Sequence, residues 1–96
     1  MPTDPDAVAG KLAFLSKPCA ACHTVRGTPA TGTTGPDLTH IGSRQTIAAG
    51  LLETTRGSLA AWIADPQTLK PGNNMPMVPL NSVELRNISA YMESLK

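Results

Sequence analysis

Residues 19–23 read Cys19-Ala20-Ala21-Cys22-His23, and this pentapeptide governs how the rest of the chain is read. Two thiols three positions apart lie on one helical turn, where each can form a thioether to a vinyl group of one haem. The histidine that follows then points a ring nitrogen at the iron. The same Cys-x-x-Cys spacing also serves redox disulfides and zinc sites. A thioredoxin-type disulfide wants a βαβ context that the sequence lacks. A zinc site would want further ligands at tight spacing, and the only other histidine is the isolated His40. One covalently attached haem is therefore the expected cofactor.

Outward from the motif, the composition fits a chain built around a bound group. At 96 residues there is room for one domain spanning 1–96, with no stretch that reads as a linker. Phe14, Trp62 and Tyr91 are the only aromatic residues, so side chains alone give a thin core. Nine prolines and eight glycines gather largely between Pro18 and Gly42 and between Pro66 and Pro79. They predict long irregular loops, which in a domain of this size normally surround a ligand. The net charge of +1 comes from eight basic and seven acidic side chains mixed along the chain, which argues against nucleic acid as a partner.

No apolar run approaches the length of a membrane span, and the start MPTDPDAVAG lacks the basic and apolar regions of a signal peptide. No membrane contact by the domain itself is expected. Haem attachment at a CxxCH site takes place outside the bacterial cytoplasm, so the expectation is either a removed leader or a domain cut from a larger chain. Met1 directly before Pro2 favours a domain excised from a secreted or membrane-tethered protein.

Thr3, Asp4 and Pro5 predict the start of a first helix, running from about residue 5 to Lys17 with Val8, Leu12, Phe14 and Leu15 on its apolar face. Pro18 closes it. The run from Thr24 to Thr39 has neither helical nor strand periodicity and reads as loop, and Ser43 to Gly50 reads as a short helix stopped by glycine. Ser58 is the expected cap of a third helix carrying Leu59, Trp62 and Ile63, ended by Pro66, with loop from Gln67 to Leu80. Asn81 and Glu84 form a capping-box pattern ahead of a last helix striped by Leu85, Ile88, Met92 and Leu95. No strand pattern is evident.

An iron held by one histidine needs a second axial ligand if it is to shuttle electrons without binding oxygen, and a methionine thioether favours the ferrous state. Met75, in Pro71-Gly72-Asn73-Asn74-Met75-Pro76, lies on a long loop well downstream of the motif and is the expected partner of His23. Core packing is the ordinary role of a methionine, and Met77 stands two residues away as the rival.

Taken in order, Cys19 to His23, Gly35-Pro36-Asp37-Leu38, Gly42-Ser43-Arg44, Trp62-Ile63 and Met75-Pro76 resemble class I cytochromes c across nearly the whole chain. The strings GPDLTHIGSR, TIAAG, LAAWIADPQ and KPGNNMP are similar, more closely, to the haem c domain fused to subunit II of bacterial haem-copper cytochrome c oxidases.

The resemblance implies an all-α cytochrome c fold of about four helices around one haem. It also implies that the Pro36 carbonyl accepts the outer ring N–H of His23, an ordinary Gly-Pro turn being the plain alternative. Leu38 is implied to line the haem. Arg44 and Trp62 are implied to hydrogen-bond a propionate, although Arg44 reads equally as a surface charge and Trp62 can serve the core as well. Gly10, Phe14 and Tyr91 are implied to mark a crossing of the first and last helices. His40, 17 residues after His23, could in principle supply a second histidine ligand, but the resemblance assigns it a surface or hydrogen-bonding role.

The expected function is one-electron transfer rather than catalysis. The copper-containing domain of an oxidase is the implied acceptor, an upstream respiratory carrier the donor, and the periplasm or outer face of the cytoplasmic membrane the location. A free-standing periplasmic carrier and a haem sensor with a labile sixth ligand are the alternatives. Low lysine content argues against a strongly positive docking ring.

Overall fold

A computed structural model describes residues 4–17, 19–47, 50, 52–69, 72, 75 and 78–96. Thr3, Pro18, Pro71, Asn73, Asn74, Pro76 and Met77, each named above, lie outside the described residues.

The first helix, α1, runs Pro5–Ser16. Asp4 caps it, its carboxylate accepting the Asp6 N–H at 2.8 Å, and proline occupies the first turn, where its missing donor costs nothing. Its buried residues are Ala7, Gly10 and Phe14, with Leu15 packed partly buried against the core; Phe14 and Leu15 face inward as read from the sequence, and Val8 and Leu12 do not. Val8 is 44% exposed and Leu12 68%. The cause is the last helix, α5, Ser82–Ser94. A Cβ at Gly10 would lie 1.8 Å from the Asn87 carbonyl oxygen, so the two backbones meet where only glycine fits. Small residues therefore turn inward, and Val8 and Leu12 turn out.

Beside that contact the Phe14 and Tyr91 rings meet edge to face, centroids 5.8 Å apart at 64°. Burial pushes the Tyr91 hydroxyl above its ordinary range. The capping box of α5 is complete: the Asn81 side chain accepts the Glu84 N–H at 2.7 Å, and the Glu84 carboxylate accepts the Asn81 N–H at 3.1 Å. Lys17 reaches the same carboxylate at 3.1 Å. The Asn81 N–H first, then Lys17, hold Glu84 below the ordinary glutamate value of 4.5. Ile88 and Met92 are buried on α5, with Leu85 and Leu95 packed partly buried against the same cluster.

A single turn, α2, spans Cys19–Cys22, and a 3-10 turn covers Ile41–Ser43. The helix α3 runs Arg56–Ala64 and is capped by Thr55, whose hydroxyl accepts the Ser58 N–H at 3.0 Å. The cap thus stands three residues before Ser58, because Ser58 supplies the donor and not the acceptor. Leu59 and Ile63 point into the core, and Arg56 bonds Glu93 of α5 at 2.9 Å.

Where a helix was expected over 43–50, the chain forms an antiparallel pair, β1 Thr46–Ile47 with β2 Leu52–Glu53, Ile47 facing Leu52 across the ladder. Gly50 adopts φ +90° between them, so this glycine turns a hairpin instead of stopping a helix. The segment after Pro66, expected as loop, begins with a short helix, α4, Pro66–Leu69, since proline suits a first helical position as well as it ends the helix before. The fold is mostly helical, with this one small sheet among the described residues. No helix there is long and apolar enough to cross a membrane.

Candidate haem-attachment site

The turn α2 carries both cysteines, partly buried and not joined to one another. Burial is the first cause that pushes the Cys19 thiol above its ordinary value. The His23 N–H continues the turn by donating to the Cys19 carbonyl at 2.9 Å, which fixes the histidine directly beyond the second thiol.

The loop that follows folds back over this turn. Gly32 N–H donates to the His23 carbonyl at 3.2 Å, Gly35 N–H to the Cys22 carbonyl at 2.6 Å, and Leu38 N–H to the Thr24 carbonyl at 2.8 Å. The Thr24 hydroxyl adds a bond to the Gly32 carbonyl at 2.7 Å. The motif is thereby held by backbone on its far side, with the donors and acceptors of the loop paired internally.

His23 Nδ1 lies 2.8 Å from the Pro36 carbonyl oxygen. A carbonyl only accepts, so Nδ1 is the donor, and in the neutral ring Nε2 is then the nitrogen with the lone pair. That is the tautomer a metal requires, oriented by an outer hydrogen bond. Gly35 closes the cradle: a Cβ there would sit 2.5 Å from His23 Cε1, so a side chain at this position would push the ring out of line.

The remaining candidates sit on separate elements. Leu38 is buried in the core cluster, and Trp62 on α3 is partly buried against it. Arg44 is exposed, its Nη2 reaching the Asp37 carbonyl at 3.5 Å, beside Pro36. Asp37 is held below the ordinary aspartate value, first by the Thr39 hydroxyl and then by the Thr39 N–H. Met75 is partly buried, and its carbonyl accepts a hydrogen bond from Gln67 at 2.9 Å. His40 uses both nitrogens, accepting from Arg26 at 3.1 Å and donating to the Lys96 carbonyl at 3.0 Å. Among the described residues no three His, Cys, Asp or Glu side chains come together as a metal-ion cluster.

Two thiols on one turn, a histidine whose Nδ1 is already engaged by a carbonyl, and apolar side chains around them fit a haem. Sequence reasoning did not single out Gln67 or the clearance at Gly35. Neither a Gly-Pro pair twelve residues beyond His23 nor a lone glutamine carries a mark in sequence of what it faces.

A family model described as cytochrome c matches residues 7–96. Cytochrome c oxidase subunit 2 of Alkalihalophilus pseudofirmus is 42% identical over 96 residues, covering 99% of this chain, and that of Bacillus sp. strain PS3 is 37% identical over 99 residues, covering 98%. The chain spans 27% of the length of each. Among solved structures, cytochrome cH from Methylobacterium extorquens superposes with a TM-score of 0.70 at 26% identity, covering 93% of this chain and 98% of that one.

Proposed function

Since this chain belongs to the cytochrome c family, we propose that Cys19 and Cys22 hold its haem through thioethers, that His23 and Met75 are the axial ligands, and that it relays electrons to the copper centre of an oxidase subunit II. Membership in this family makes the protein an electron carrier with a covalently bound haem c. The haem supplies an iron that alternates between ferric and ferrous states.

One observation carries the assignment of His23, the 2.8 Å bond from Nδ1 to the Pro36 carbonyl. It uses Nδ1 as the donor and fixes the ring, so that Nε2 is the nitrogen that would be offered to the iron. Each thiol would add its S–H across a haem vinyl double bond, the S–H and the C=C π bond being exchanged for one C–S and one C–H bond with nothing released. Leu38, buried in the core cluster, would line the haem, and Trp62 and Arg44 would offer an indole N–H and a guanidinium to its propionate carboxylates.

The copper partner is supported by the two oxidase relatives, which match over nearly all of this chain. The same support favours a single domain over 1–96, tethered beside its acceptor on the outer face of the cytoplasmic membrane, so that effective concentration replaces electrostatic steering. The charge distribution agrees, for Lys17, Arg56 and Arg86 are all paired with carboxylates. Stopped-flow mixing of the reduced protein with a soluble dinuclear-copper domain is expected to show electron transfer whose rate changes less than about threefold between low and physiological salt. No transfer contradicts the assigned partner, and a steep fall with salt reveals a charged docking patch.

A further inference from the structure

The short helix α4 is anchored at its base. Thr68 N–H donates to the Asp65 carboxylate at 3.2 Å and the Thr68 hydroxyl at 2.6 Å, while Pro66 is fully buried. Gln67 leaves this fixed turn and spends both ends of its amide on the segment that follows. Its Nε2 donates to the Met75 carbonyl at 2.9 Å, and its Oε1 accepts the Gly72 N–H at 3.3 Å. Gly72 lies at φ +83°, a left-handed turn that glycine adopts without strain. Only one orientation of the amide satisfies a carbonyl and an N–H together, so the side chain bridges the segment in a defined sense.

We propose that Gln67 is a positioning residue for the methionine ligand: by pinning the backbone at Gly72 and Met75 it sets how readily the Met75 sulfur leaves the iron. This rests on the assignment of Met75 as ligand. With its carbonyl held, Met75 can withdraw its sulfur only by rotating its own side chain. Without the clamp the backbone moves as well, and the detached state gains population. An outside ligand reaches the iron only in that state, so its apparent affinity measures the population directly.

The test titrates imidazole into the ferric holoprotein and its Gln67→Leu and Gln67→Glu variants. Gln67→Leu removes both hydrogen bonds from an exposed site, and the apparent imidazole affinity is expected to rise about fivefold. Gln67→Glu keeps the acceptor for Gly72 but turns a carboxylate toward the Met75 carbonyl, so a rise of at least the same size is expected at neutral pH. As the pH falls through the ordinary glutamate range, about 4.3, the introduced group regains an O–H donor. The affinity ratio to the unsubstituted protein, taken at each pH so that protonation of imidazole cancels, then returns toward one. A residue that merely fills space gives no such recovery, and this arm stands alone if Gln67→Leu fails to take up haem. Unchanged affinity in both variants, in a protein whose ferric form shows the sulfur-to-iron charge-transfer band, overturns the role of Gln67 and leaves the methionine in place. Absence of that band from the unsubstituted protein overturns the ligand assignment, and the role of Gln67 with it.

Discussion

Replacing both cysteines, Cys19→Ser with Cys22→Ser, is expected to give a chain that neither retains haem nor keeps most of its helical signal. The aromatic content is one Phe, one Trp and one Tyr, and a domain of this size buries too little side-chain surface to be stable with a large interior group removed. A group bound only to the folded state stabilises it by mass action. A covalent link makes that contribution independent of free haem concentration. Serine keeps the size of the side chain and loses the nucleophile, so the variant separates attachment from packing. Circular dichroism after expression with the attachment machinery checks it; a variant that stays folded without haem would show that the core is sufficient unaided.

Met75→Ala is expected to abolish the sulfur-to-iron band of the ferric protein and to lower its reduction potential by on the order of tenths of a volt, within the roughly 0.8 V that axial ligation spans. Met77→Ala is expected to leave the band in place. The two methionines stand two positions apart, so an extended segment would point both the same way and alternation cannot choose between them. Met75 directly precedes Pro76, which confines the methionine backbone to extended conformations and removes an N–H that would otherwise need a partner. The carbonyl of Met75 is also the one that Gln67 holds. The opposite pattern moves the ligand to Met77, and a band that survives both changes excludes this loop.

Local chemistry with a fixed spacing was legible in the sequence. Asn81 and Glu84 announce the start of α5 because each supplies what the other's backbone lacks, and Asp4-Pro5 does the same for α1. The pentapeptide at 19–23 is legible for the same reason. What depended on distant partners was not. The inward face of α1 is set by the Asn87 carbonyl seventy-seven positions beyond Gly10, so hydrophobicity alone chose Val8 and Leu12 wrongly. Gly50 marks the end of a helix or the turn of a hairpin equally well until Ile47 finds Leu52. Thr55 and Ser58 are both good caps, and the choice falls to whichever hydroxyl meets an unpaired N–H. At the site, Pro36 could be named from the sequence only through a resemblance, since a Gly-Pro turn carries no mark of the ring it faces. Gln67 could not be named at all, because its role comes from a turn at Gly72 that brings residue 75 back to residue 67.

The central claim is that Cys19 and Cys22 bind the haem covalently. Acidic organic extraction of the unfolded holoprotein tests it without reference to ligation, potential or partner. Two thioethers survive unfolding and acid, so the pigment is expected to stay with the polypeptide in the aqueous phase, with a mass equal to chain plus one haem. Partition of the colour into the solvent, with a polypeptide of unmodified mass left behind, would contradict it.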